Sequence, residues 1–282
     1  MRKRISFISV LTMFLAIGFV IIFSRPVKAA ANGVILKANR TYAAYDVTGD
    51  GMKDKIRIRA ANQTDDEAYT SLTVSVNGKT ACRLKNTRFY NVIANIYTLK
   101  NGQPFLYLYA PAENGDGPVC ALLKYTNGKF RKALDFTEIM AGYGNHRIGE
   151  VTNLNGNKIV ITESIVSYSL GINAINFTYK YVNGKFVPTS RYGSYKEIYS
   201  TDGSSRYFTV NSDLPAYARP GATAVNTTLK AGSLTKIIKC ALISGKMYIQ
   251  LECDGEIYWI KALENPPISD SERQFMEVRY AG

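Results

Sequence analysis

The residues with the clearest chemical capacity lie in Asp46-Val-Thr-Gly-Asp-Gly-Met-Lys-Asp54. Three Asp, one Thr and two Gly fall within that stretch, and Lys55-Ile-Arg-Ile58 then alternates like a strand. Acids and hydroxyls on every second position of a tight loop can converge on a hard cation that takes about six to eight oxygens. The stretch reads as a calcium-type turn at the mouth of a β-hairpin. The same residues also suit an Asx-rich turn without metal, because Asp side chains cap nearby backbone N–H groups.

Other reactive residues are sparse. His146 is the sole histidine, in Gly142-Tyr-Gly-Asn-His-Arg147. A Ser–His–acid or Cys–His site must use it, but no G-x-S-x-G accompanies it, and Ser167, Ser169 and Ser190 have no distinguishing context. Cys82, Cys120, Cys240 and Cys253 are too far apart in sequence for a zinc motif. Phosphate loops and dinucleotide fingerprints are missing. A carboxylate pair for glycoside cleavage stays open, because chain spacing says nothing of separation in space.

The elements that position these residues read as strands. Ser71-Leu-Thr-Val-Ser-Val76, Phe105-Leu-Tyr-Leu-Tyr109, Lys158-Ile-Val-Ile-Thr162 and Asn176-Phe-Thr-Tyr-Lys-Tyr181 alternate with period two. Asn-Gly pairs at 77, 101, 114, 127, 155 and 183 separate such runs, and Asn-Gly suits hairpin turns with positive φ. One helical turn is expected near Asp135-Phe-Thr-Glu-Ile-Met140. The twenty tyrosines fall largely on strand positions, where sheet packing accounts for them.

The turns repeat. Asn77-Gly-Lys79, Asn127-Gly-Lys129 and Asn183-Gly-Lys185 recur, each preceded by an earlier turn at Thr48–Gly51, Lys100–Gln103 or Leu154–Asn157. A fixed period with about four strands per unit suits a radial β array. The expected fold is therefore all-β: an irregular propeller-like array of repeated antiparallel hairpins, plus a small C-terminal barrel. The domains expected are a signal peptide over 1–31, the repeat domain over 32–197, the barrel over 203–265 and a tail over 266–282.

Met1-Arg-Lys-Arg4, an uncharged apolar run from Ile5 to Phe23, and small residues through Ala31 form a secretory signal. The run is also long enough for an uncleaved anchor, so membrane contact is expected only through that segment. Removing 1–31 takes five positive charges from the formal +13 and leaves +8. That balance favours anionic surfaces such as wall polymers, although the cations are scattered. Export permits disulfides. Pairing within each half, 82–120 and 240–253, follows if the halves fold separately; a two-residue Ser244-Gly245 turn would instead set Cys240 across from Ile249, and free buried thiols are the alternative.

The acidic stretch resembles the aspartate loops of FG-GAP or VCBS-type repeats of integrin-like propellers. The resemblance implies one structural calcium ion held by Asp46, Thr48, Asp50 and Asp54, with the Met52 carbonyl added and Gly51 at the bend. The other units lack the acids. Residues 203–265 resemble a bacterial SH3-like domain through Tyr217-Ala-Arg-Pro-Gly221, Leu229-Lys-Ala-Gly232 and Tyr248–Ile260 with Asp254-Gly255 and Trp259. Tyr258-Trp259-Ile260 replaces the family's Gly-Trp-Val. That family implies wall-peptide binding, with Tyr207, Tyr217, Tyr248 and Trp259 as candidate ligand contacts or as barrel core.

The function expected is a secreted or cell-surface bacterial binding protein without catalysis, engaging a wall polymer or protein partner and no nucleic acid. The alternative is a secreted hydrolase, or its accessory subunit, acting on polysaccharide or peptidoglycan.

Overall fold

The structure is a computed structural model that describes residues 33–113, 115–198, 201 and 206–280. The expected export segment lies outside the described residues. Among those residues the fold is all-β, with strands, two short 3-10 turns and no α-helix. None of its helices is long and apolar enough to cross a membrane.

Among the described residues the first strand is β1 (Val34–Leu36), and three four-stranded antiparallel meanders follow. The first comprises β2 (Thr41–Tyr45), β3 (Asp54–Gln63), β4 (Tyr69–Val76) and β5 (Lys79–Phe89). The second comprises β6 (Ile93–Thr98), β7 (Pro104–Ala110), β8 (Val119–Thr126) and β9 (Lys129–Asp135), with β1 added beside β6. The third comprises β10 (Gly144–Asn155), β11 (Lys158–Ser167), β12 (Gly171–Val182) and β13 (Lys185–Pro188).

Each meander places its Asn-Gly-Lys turn between its third and fourth strands. Asn77, Asn127 and Asn183 adopt φ of 50°, 52° and 49°, and Gly78, Gly128 and Gly184 are also positive, which matches the backbone twist of a hairpin. The earlier turns all join first to second strands and gather at one end. Lys100 N donates to the Gly156 carbonyl at 3.1 Å, and Asp46–Gly49 and Asn101–Pro104 line one cavity.

The sheets stack face to face. The second meander is buried on both faces because its alternate residues serve two cores. Ala94, Ile96, Leu106, Leu108, Ala121 and Leu123 pack with Ile56, Ile58, Leu72 and Val74 of the first meander. Tyr97, Phe105, Tyr107, Tyr109, Cys120 and Leu122 pack with Ile159, Ile161 and Phe177 of the third. This double burial explains the near-continuous apolar run of β7 and β8.

At the second interface, tyrosine hydroxyls satisfy an exposed strand edge. Among the described residues β10 has a strand neighbour on one side only. The carbonyls of Arg147, Gly149 and Val151 accept hydrogen bonds from Tyr109, Tyr107 and Tyr97 at 2.9, 2.7 and 3.5 Å. Gly149 N donates to Cys120 Sγ at 3.4 Å. Unpaired strand edges otherwise invite another chain. A Cβ on Gly149 would lie 2.1 Å from the Phe136 ring, so the close approach requires glycine there.

β14 (Tyr192–Ile198) pairs with β12 on one side and with β18 (Leu234–Ile243) on the other. It thus hydrogen-bonds the third meander to the C-terminal strands β15 (Tyr207–Thr209), β16 (Leu214–Ala216), β17 (Thr227–Leu229), β18, β19 (Lys246–Cys253) and β20 (Glu256–Lys261). The resulting sheet runs β10-β11-β12-β14-β18-β19-β20, with β15 also on β18. The core shared with the second meander continues through Phe177, Cys240, Ile249 and Phe208 to Phe275 and Val278. The segment expected as a tail is therefore seated: Phe275 and Val278 are buried, and Met276 N donates to the Thr209 carbonyl at 3.0 Å. The sheets do not close on themselves among the described residues.

Candidate functional site

Two hairpins assemble an aromatic face on the C-terminal strands. Ser244-Gly245 and Asp254-Gly255 are two-residue turns with positive φ at all four positions. They put Ala241 opposite Tyr248, Tyr248 opposite Lys261, and Gln250 opposite Trp259. Alternation then turns Ala241, Tyr248 and Trp259 to the side away from the large core, where Tyr217 joins them. Tyr217 N donates to the Trp259 carbonyl at 2.7 Å, and Trp259 N to the Tyr217 carbonyl at 2.9 Å.

Of the four aromatic residues singled out in the sequence, Tyr217, Tyr248 and Trp259 thus come together. All three are buried, at 6, 5 and 4 % exposure. They form the packed floor of this face. Tyr207 lies apart on β15, exposed, with the Lys236 ammonium 5.8 Å from its ring centre. The exposed aromatic that covers the floor is Tyr192, whose ring lies 5.9 Å from that of Trp259. Lys239 Nζ sits 4.8 Å from the Tyr192 ring centre and 6.0 Å from that of Trp259, while Lys261 Nζ sits 4.9 Å above Tyr217. Such cation–ring contacts contribute about 0.5–1 kcal/mol each at exposed sites.

Tyr192 and Lys239 were not apparent as site residues in the sequence. Arg191-Tyr-Gly-Ser-Tyr195 is polar and its two tyrosines, three residues apart, fall on opposite strand faces, so the chain carries no period-two signal here. Only the β14–β18 pairing, with Tyr192 opposite Ala241 and Ser194 opposite Lys239, shows which face they share. A cavity of about 320 Å³ opens beside them, lined by Asn176, Thr178, Thr189, Ser190, Ser194 and Lys239 among others.

The acidic turn folds around Asp54, which is almost fully buried. Its Oδ2 accepts from Val47 N at 2.7 Å and Thr48 N at 2.9 Å, and its Oδ1 from Asn77 Nδ2 at 2.6 Å. Asn77 Oδ1 in turn accepts from Lys55 N at 2.8 Å, tying this turn to the first Asn-Gly-Lys turn. Asp46 accepts from Gly49 N, Asp50 N and Gly51 N at 2.6, 3.2 and 2.8 Å. Its desolvation opposes ionisation, but these N–H donors and the Thr48 hydroxyl hold the carboxyl below the usual carboxylate range.

Three of the five expected calcium ligands meet in this turn. The Thr48 hydroxyl lies 3.3 Å from Asp46 Oδ1 and 3.3 Å from Asp54 Oδ1. Asp50 instead turns its Oδ1 to Met52 N at 2.8 Å, and the Met52 side chain is exposed. Among the described residues, no three acidic, His or Cys side chains are grouped as a metal site. The oxygens present suit calcium in kind, and the N–H donors already engage the carboxylates of Asp46 and Asp54.

His146 also has a partner: its Nδ1 lies 2.5 Å from Glu163 Oε1, between β10 and β11. Among the described residues, His146 Nε2 and Glu163 Oε2 are buried with no hydrogen-bond partner. Burial pushes the Glu163 carboxyl up to about 7, although the His146 hydrogen bond and charge draw it down. Cys120, on the facing sheet, is pushed up to about 12 by burial, so it remains a thiol at neutral pH. The Ser167 hydroxyl is fully buried and accepts from Ser169 N and Leu170 N.

All four cysteines are free, which corrects the pairing expected within each half. Cys82 packs on the core of the first meander and Cys120 on the opposite face of the second, so a sheet separates them. Cys240 faces Ile249 and Cys253 faces Thr235 across the hairpin, so those two do not meet either.

Comparison with family models, curated proteins and solved structures finds no match. The functional reading therefore rests on the residues themselves.

Proposed function

We propose that this chain is an exported, non-catalytic bacterial binding protein that engages a cell-wall polymer or a surface partner. In this reading the three meanders are the units of a propeller-like array, and β15–β20 form an SH3-like module bridged by the Tyr217–Trp259 backbone pair. One observation carries the reading. Lys239 and Lys261 overlie a packed aromatic floor, and neither has a carboxylate within salt-bridge distance among the described residues. With a formal +8 outside the first 31 residues, such a face is complementary to an anionic surface.

The test is retention of residues 33–282 on purified wall material. The whole segment is needed because β14 shares its hydrogen bonds between the meanders and the C-terminal strands. Retention that weakens as salt rises is expected; passage of the unmodified protein straight through removes the reading.

The acidic turn belongs to the same proposal as a structural calcium site, drawing on Asp46, Thr48, Asp50, Asp54 and the Met52 carbonyl. Calcium is expected to raise the melting midpoint of the wild type and to leave Asp50→Ala unmoved. Identical wild-type midpoints in calcium and in chelator would eliminate the ion.

A further inference from the structure

The cavity beside Tyr192 gathers polar side chains from several strands. Asn176 and Thr178 come from β12, Thr189 and Ser190 from the β13–β14 connection, Ser194 from β14 and Lys239 from β18. Strand alternation sends Asn176, Ser194 and Lys239 to the same face, because Asn176 pairs with Ser194 and Ser194 with Lys239. Four hydroxyls and an amide thus line the same cavity as one ammonium group. Some of them already have work: Thr189 Oγ1 donates to the Thr178 carbonyl, Ser190 Oγ accepts from Tyr192 N, and Asn176 Oδ1 accepts from Thr162 Oγ1. Among the described residues, the Asn176 amide NH₂ and the Ser194 hydroxyl have no hydrogen-bond partner.

We propose that this cleft binds an acidic sugar unit of a polysaccharide, with Lys239 pairing its anionic group and the Tyr192 ring supporting its apolar face. The inference rests on the binding reading above and names its ligand class. The volume of about 320 Å³ lies at the small end of ligand pockets, which begin near 300 Å³. Hydroxyl and amide groups match the dense donors and acceptors of a sugar. A half-exposed tyrosine offers a rigid, amphipathic contact surface. Lysine supplies a compact point charge without the planar fork with which arginine grips phosphate. The cleft is assembled from both halves of the chain, so neither sequence resemblance assigns it.

The fold supplies its own reporter. Trp259 is the sole tryptophan, with its ring 5.9 Å from that of Tyr192 and 6.0 Å from Lys239 Nζ. Titrating residues 33–282 with oligogalacturonate is expected to change Trp259 fluorescence, whereas neutral malto-oligosaccharide and inorganic phosphate leave it unchanged. Lys239→Met and Tyr192→Ala are each expected to weaken oligogalacturonate binding about tenfold, the scale of one charge-assisted contact. Lys230→Met, at an exposed lysine paired with Asp213 elsewhere, is the control expected to change nothing. Near-UV circular dichroism and melting confirm that each variant is folded.

Equal binding of the neutral sugar overturns the role of Lys239, and a matching response to phosphate alone overturns the sugar. No oligogalacturonate binding by wild type, or binding that survives Lys239→Met undiminished, overturns the inference. In those cases, continued wild-type retention on wall material leaves the broader binding reading standing, so the two failures are distinguishable.

Discussion

At the scale of single residues, Glu163 makes the sharpest statement. It is almost wholly buried, and burial pushes its carboxyl from an ordinary value near 4.5 up to about 7, while His146 pulls downward and the charge of Asp135 pushes upward. The folded state therefore holds this proton more tightly than the unfolded chain does. Stability from this group is fully present below about 4.5 and is lost as pH rises to about 7. Replacing Glu163 with Gln removes the ionisation. The melting advantage of Glu163→Gln over wild type should thus grow between pH 4.5 and 7, by roughly 3 kcal/mol across the window. A difference that stays flat with pH would show that Glu163 is not held protonated. Comparing the two proteins at each pH cancels the general effect of adding positive charge to an already basic chain.

At the scale of elements, β14 is the strand on which the assembly turns. It bridges β12 and β18, and Tyr192 and Ser194 face the proposed cleft while Gly193 faces the core. A Cβ on Gly193 would meet the Phe177 ring at 2.4 Å and Ile175 at 2.7 Å. Gly193→Ala is therefore expected to destabilise by about 1–3 kcal/mol through overpacking, and to disturb Tyr192 against Trp259. Chemical denaturation with Trp259 fluorescence reads both effects. An unshifted midpoint would mean that β14 seats less tightly than these distances require. The Asn183-Gly184 hairpin before it was legible in the chain, because Asn-Gly needs no tertiary support to favour a positive-φ turn. β14 was not, since Tyr192-Gly-Ser-Tyr195 is short and polar and gains its place only by pairing on both edges.

At the scale of the whole molecule, the second meander contributes one face to each of two cores. The larger core then runs on without interruption from Tyr97 to Val278. The third meander and the C-terminal strands share backbone hydrogen bonds as well as this apolar interior. One cooperative unfolding transition is therefore expected for residues 33–282, with calorimetry and circular dichroism giving the same midpoint. Two resolved transitions would show that the halves expected from the change of sequence texture near residue 200 unfold separately. Hydrogen bonds and apolar contacts cross the texture change.

What the sequence determined by itself was local: period-two alternation, the positive-φ turns, the repeat of those turns, and the acids that fold back on their own backbone around Asp54. These depend on contacts within a hairpin or between hairpins adjacent in the chain, as where Asn77 meets Asp54. The free cysteines, the buried state of Trp259, the partnership of His146 with Glu163 and the cleft between Tyr192 and Lys239 were decided by tertiary structure. Each joins residues whose separation along the chain carries no information about their distance, and which meet only when sheets stack and β14 pairs on both sides.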